Sequence, residues 1–208
     1  NKIRFVKQWF YFFENIIVSP FCPCYGFELL SLKHQITRES QFYEFLIQRA
    51  LRAFGNRTTR KRNKKRHPAG FADGDFAYAY VIAHEVGHHV QYLLGDLNKI
   101  HSQMSRVNEK QSNQLSVRLE LQADFYAGIW AYYDNKLFGS LENGDIEEGL
   151  AVASKIGDDY LQKQAYGYSV PDSFNHGTSA QRVKWLKKGL TTGNLNLSDT
   201  FSCAYQDL

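Results

Sequence analysis

The segment VIAHEVGHHVQ, Val81 to Gln91, sets three histidines and a glutamate among apolar neighbours. Burying so many titratable groups is unfavourable unless something pairs with them, so this stretch restricts the fold more than any other. A helix is expected here. Asp75 is a good N-cap, Phe76, Tyr80, Ala83, Gly87, Val90 and Leu94 recur at helical spacing, and Gly95 is a natural residue to end on. Four residues apart on such a helix, His84 and His88 bring their rings onto one face, about one turn apart. Glu85 flanks that face. This is the H-E-x-x-H pattern, in which two imidazoles hold Zn2+ and the glutamate takes a proton from a water activated by the metal. Gly87, between the histidines, lets another element approach closely. His89 sits about 100° round the helix from His88 and cannot join that face.

A catalytic zinc needs a third protein ligand. A second helical pattern, Gln114 to Tyr133, supplies candidates in R-L-E-L-Q-A-D, where Glu120 and Asp124 again lie four apart and are flanked by Leu119, Leu121, Ala123 and Phe125. Two carboxylates on such an apolar helix require partners. Glu120 is expected as the third ligand, and Asp124 as acceptor for the free ring N–H of a ligating histidine, His84 first. The competing reading is structural, with Arg118 paired to Asp124 or to the neighbours of Glu120.

The rest of the chain adds limits. Its 208 residues suffice for one domain with a real core, and 43% hydrophobic content argues against disorder throughout. The run from Asn56 to His67 holds seven positive charges and no acid, and subtracting these from the net charge of +4 leaves −3 for the remainder. The basic balance is therefore local. The run contains no interleaved aromatic residue and so has no device for stacking bases; it reads as a solvated loop rather than a nucleic-acid or anionic-surface site. Three cysteines, Cys22, Cys24 and Cys203, fix neither compartment nor metal. The apolar run Trp9 to Phe21 falls short of the roughly 20 residues of a spanning helix. The Asn at position 1 leaves room for a preceding signal or anchor.

Composition changes near residue 74. Before it lie the apolar start, a strand signal in FELLSL (27–32), a helical pattern at 40–55 and the basic run. After it come four helical patterns: the two above, a long one from Asp145 through IEEGLAVASKIGDDYLQK, and AQRVKWLKK, capped by Ser179 and stopped by Gly189. The expected fold is mainly α with at most a small sheet, built from a region 1–73 and a domain 74–208.

GDFAYAYVIAHEVGHHVQYLLG, NQLSVRLELQADFYAGIWA, GDIEEGLAVASKIGDDYLQ, VPDSFNHGTSAQRVKWLKKG and a final DTF, in this order from Gly74 to Phe201, closely resemble the bacterial neutral zinc metallopeptidase family. The Glu-x-x-x-Asp spacing resembles that of thermolysin-like glutamate zincins. The resemblance implies a zincin-like α+β fold, one zinc per chain, a peptide or protein substrate, and an envelope location through a membrane anchor. It draws attention to His176, in FNHGTSAQR, as a donor to a developing oxyanion, with Arg182 as the competing candidate for that or another substrate contact. Residues 1–73 depart from the family pattern, and two family cysteines are Phe125 and Ser198 here, so a family disulfide is expected to be missing. The leading expectation is zinc-dependent peptide hydrolysis with Glu85 as general base, without nucleic acid as partner. The alternative is a zinc-loaded envelope scaffold without activity.

Overall fold

A computed structural model describes residues 75–208. The boundary near 74, the strand and helix expected at 27–32 and 40–55, the basic run, Cys22 and Cys24 lie outside these residues. Six α-helices and three 3-10 turns make up the described part, with no strand among the described residues: α1 (Asp75–Leu93), α2 (Asp96–Met104), α3 (Glu109–Phe138), α4 (Asp145–Lys155), α5 (Asp158–Tyr166) and α6 (Ser179–Thr192). The class is mainly α. No described helix is long and apolar enough to cross a membrane.

The central element is α3, 30 residues long and so extending well beyond the pattern at 114–133. Asn108 caps it, accepting from the Gln111 amide at 2.9 Å, and Gly139 ends it in the left-handed conformation. Every residue from Leu121 to Ala131 is buried. A helix buried all round needs neighbours on every side; α6 packs along it most extensively, then α1.

Glycine makes these approaches close enough to bring backbones together. A methyl group on Gly87 of α1 would lie 2.8 Å from the Ala123 carbonyl oxygen of α3. At the crossing of α3 and α6, Gly128 and Gly189 face each other, and a methyl on either would strike the other helix's backbone, at Leu186 O or Phe125 O. This corrects the expected role of Gly189: it lies inside α6, which continues to Thr192 and ends at Gly193. The cap of α6 is Thr178 rather than Ser179. Its hydroxyl accepts from the Gln181 amide while the Gln181 side chain accepts from the Thr178 amide, a reciprocal capping box.

Two further differences have local causes. The long helix expected from Asp145 is broken into α4 and α5 because Gly157 lies directly against the backbone of Ser179, leaving no room for a Cβ, and because the Asp158 amide bonds to the Gly177 carbonyl instead of continuing a helix. Asp145 is not the cap residue of α4; Gly144 precedes the helix, and the Asp145 carboxylate accepts from the Glu142 amide. The short helix α2 follows a left-handed Gly95 and buries Ile100.

Gly189→Ala should destabilise the chain by at least about 1–3 kcal/mol, because helix backbone cannot move aside as a side chain can. The change would be read as a lower urea midpoint, with the circular dichroism of the folded protein still helical.

Candidate metal centre

His84 and His88 project from α1 toward Glu120 on α3. His84 Nε2 lies 3.2 Å from one Glu120 oxygen and His88 Nε2 lies 3.3 Å from the other. One donor atom from each of the three residues falls within 4.8 Å of the others. Each of the two N···O separations is close to the ~3.3 Å between ligand atoms standing ~2.0–2.1 Å from a tetrahedral zinc.

The other ring nitrogens determine what the cluster can bind. His84 Nδ1 is 2.8 Å from Asp124 Oδ1, and a carboxylate can only accept, so Nδ1 carries the proton. His88 Nδ1 is 2.9 Å from Gln91 Oε1. The Gln91 amide has a single orientation, because its Nε2 donates to the Leu119 carbonyl at 2.7 Å. In the neutral ring each Nε2 is then the atom with a lone pair, and both face the Glu120 carboxylate. The convergence calls for positive charge between these atoms, which a divalent metal with an N2O donor set would supply.

Charge shifts reflect the same demand for positive charge. Burial disfavours a charge on His84, but Asp124 and the hydrogen bonds to Asp124 and Glu120 outweigh it and raise its pKa to about 9. Burial would raise Glu120, yet the hydrogen bonds to both histidines hold it well below the usual carboxylate range.

Asp124 has no solvent exposure. Its carboxylate accepts from the Tyr80 hydroxyl at 2.6 Å, from His84 Nδ1, and from Arg182 through Nε at 2.8 Å and Nη2 at 3.0 Å. Burial pushes its pKa up, and the charges of Arg182 and His84 bring it down to about 2. Arg182 is 3% exposed and pairs with Asp124 through Nε and Nη2. Arg118 pairs with neither carboxylate: its guanidinium donates to the carbonyls of Thr200 and Cys203.

Glu85 is exposed. His176 is about half exposed on a loop that runs close to α3, where a methyl on Gly177 would lie 3.2 Å from Val117 and 3.5 Å from Leu121, on either side of Glu120 in the chain. Asp158 organises that loop. Its Oδ2 accepts from the amides of Asn175, His176 and Gly177 at 2.7–3.1 Å, and its Oδ1 lies 3.2 Å from His176 Nδ1. The hydrogen bond to Asp158 raises the His176 pKa, burial opposes this, and the negative charge of Glu120 adds to the rise.

The family described as "Putative neutral zinc metallopeptidase" matches residues 64–201. The chain belongs to that family. It is 53% identical over 130 residues to the Escherichia coli K12 protein titled "Uncharacterized protein YpfJ", covering 62% of this chain and 45% of that one. It is 42% identical over 144 residues to "Uncharacterized protein Rv2575" of Mycobacterium tuberculosis H37Rv, covering 65% and 47%. The chain thus spans about half the length of the curated relatives it matches. No solved structure matches it.

Within this member of the metallopeptidase family, three supports escaped the sequence reading: Gln91, Tyr80 and Asp158. Gln91, three residues past His88 on an apolar helix, was the most visible of them, since a buried amide needs partners as a buried carboxylate does. Tyr80 passed as an ordinary core aromatic. Asp158 was hidden by the expectation of one continuous helix.

Asp124→Asn should keep the shape but leave Arg182 uncompensated in the core, for a loss of about 3–5 kcal/mol in chemical unfolding. A loss under about 1 kcal/mol, the scale of an ordinary hydrogen bond, would show that the buried charge is not needed.

Proposed function

We propose that this chain hydrolyses peptide bonds with a zinc ion held by His84, His88 and Glu120. The observation that carries the reading is the pair of imidazoles whose Nδ1 atoms are committed to Asp124 and Gln91, so that both Nε2 atoms, the positions left for a metal, face Glu120. Zinc bound there supplies a positive charge that polarises a scissile carbonyl and makes a water acidic enough to attack near neutral pH.

The protein's own groups do the rest. Glu85 follows His84 directly in the chain and is exposed, so its carboxylate is available to take the proton of the attacking water and return it to the departing amine. His176, held by Asp158 and drawn toward the protonated state, serves as an N–H donor to the oxygen that gains charge in the transition state. Asp124 and Gln91 hold the two imidazoles in one tautomer and one orientation, which lowers the reorganisation needed when the metal binds. A peptide or protein is the proposed substrate. The family membership supports the reaction class.

Chelator-washed protein reloaded with zinc should hold about one zinc per chain and cleave a quenched-fluorescence peptide mixture. Glu85→Gln should keep the zinc and lose about 10²–10⁴-fold in kcat. Peptide cleavage by that variant at the wild-type rate would remove Glu85 as the base, and a zinc-loaded wild type inert toward all peptides would favour the scaffold.

For His176→Ala the expectation is a kcat about 10²–10³-fold lower, with zinc content unchanged. A raised KM at unchanged kcat would instead assign His176 to substrate binding alone.

A further inference from the structure

The C-terminal segment lies far along the chain from either histidine, yet it connects to the cluster through two buried amides. His88 Nδ1 donates to Gln91 Oε1, Gln91 Nε2 donates to Gln122 Oε1 at 2.9 Å, and Gln122 Nε2 donates to the Ser198 carbonyl at 3.2 Å. Gln91 is fully buried and Gln122 is 3% exposed. The direction of this chain is forced. A backbone carbonyl can only accept, so Gln122 must turn its NH2 to Ser198 and its oxygen to Gln91. Gln91 must then present its NH2 to Gln122, as it does to Leu119, leaving only its oxygen for His88. With Gln122 reversed, two NH2 groups would meet in the core.

The segment carrying Ser198 is itself anchored to the face of α3 that bears Arg118 and Gln122. Arg118 donates to the carbonyls of Thr200 and Cys203 and lies over the Tyr205 ring, while the fully buried Thr200 donates its hydroxyl to the Arg118 carbonyl at 2.8 Å. Each buried amide carries a desolvation cost that apolar residues would avoid.

We propose that residues 198–203 are a working part of the metal centre: through Gln122 and Gln91, both positioning residues, they share with the Leu119 carbonyl in fixing the tautomer and aim of His88. The inference rests on the zinc reading above. It treats the two histidines differently, since His84 is oriented by Asp124 and owes nothing to this relay.

The test uses the full chain, with zinc affinity measured by competition against a chromophoric chelator and the imidazole Nδ1–H protons followed by NMR. Gln122→Met should weaken zinc binding about tenfold, at the low end of the range for residues that support a metal ligand. It should shift the His88 Nδ1–H signal, because the Leu119 carbonyl alone then holds Gln91, while leaving that of His84 in place. Thr200→Val, which only loosens the anchor, should move both readouts of His88 in the same direction by a smaller amount. Should Gln122→Met fail to fold, Thr200→Val decides with the same readouts. Unchanged affinity together with an unchanged His88 signal would overturn the relay, and so would equal disturbance of both histidines, which would mean general loosening. If the wild type binds no zinc, the zinc reading falls by itself, and the relay stands or falls on the His88 signal of the metal-free variants.

Discussion

A carboxylate without solvent exposure in the middle of a 30-residue helix is stable only if other elements bring charge and hydrogen bonds to it, and Asp124 receives them from two helices. Tyr80 and His84 reach it from α1 and Arg182 from α6, so one side chain ties together the three helices around which the described residues are arranged. Apolar residues of similar volume would fill the same space with equal or better stability. What they would not do is hold a proton on His84 Nδ1. The energetic burden of the buried charge is thus understandable only together with the chemistry on the other side of the imidazole ring.

The two histidines are supported by unlike means. Behind His84 stands a charged network, with the carboxylate made strongly acidic by Arg182; behind His88 stands a neutral amide. An imidazole backed by a carboxylate is the more basic donor. The cluster accordingly presents one stronger and one weaker nitrogen ligand beside the single negative charge of Glu120.

Much of this was legible in the sequence because spacing and polarity coincided. His84 with His88, and Glu120 with Asp124, stand four residues apart in apolar surroundings, and a helix turns each pair to one side. Gly87 was legible for the same reason: a residue without a side chain between two histidines signals contact, and the Ala123 backbone is what it meets. Features set by tertiary contact could not be read this way. The break at Gly157 depends on where Ser179 lies, the burial of Arg182 depends on the direction from which α6 approaches, and Gly189 resembles a stop signal until Gly128 is found opposite it. The choice of Arg182 over Arg118 as partner of Asp124 belongs to the same class, because both lie within the chain's reach and only the packing selects one.

Where α1 and α6 meet α3, the contact is backbone against backbone, at Gly87 with Ala123 and at Gly128 with Gly189. Spacing set this way does not depend on the identity of the surrounding core side chains, which can be exchanged for others of similar volume while the helix axes stay where they are. The donor atoms of the centre ride on those axes. Exchange of core side chains is therefore decoupled from the span between the donor atoms, which Gly87, Gly128 and Gly189 set through the backbone.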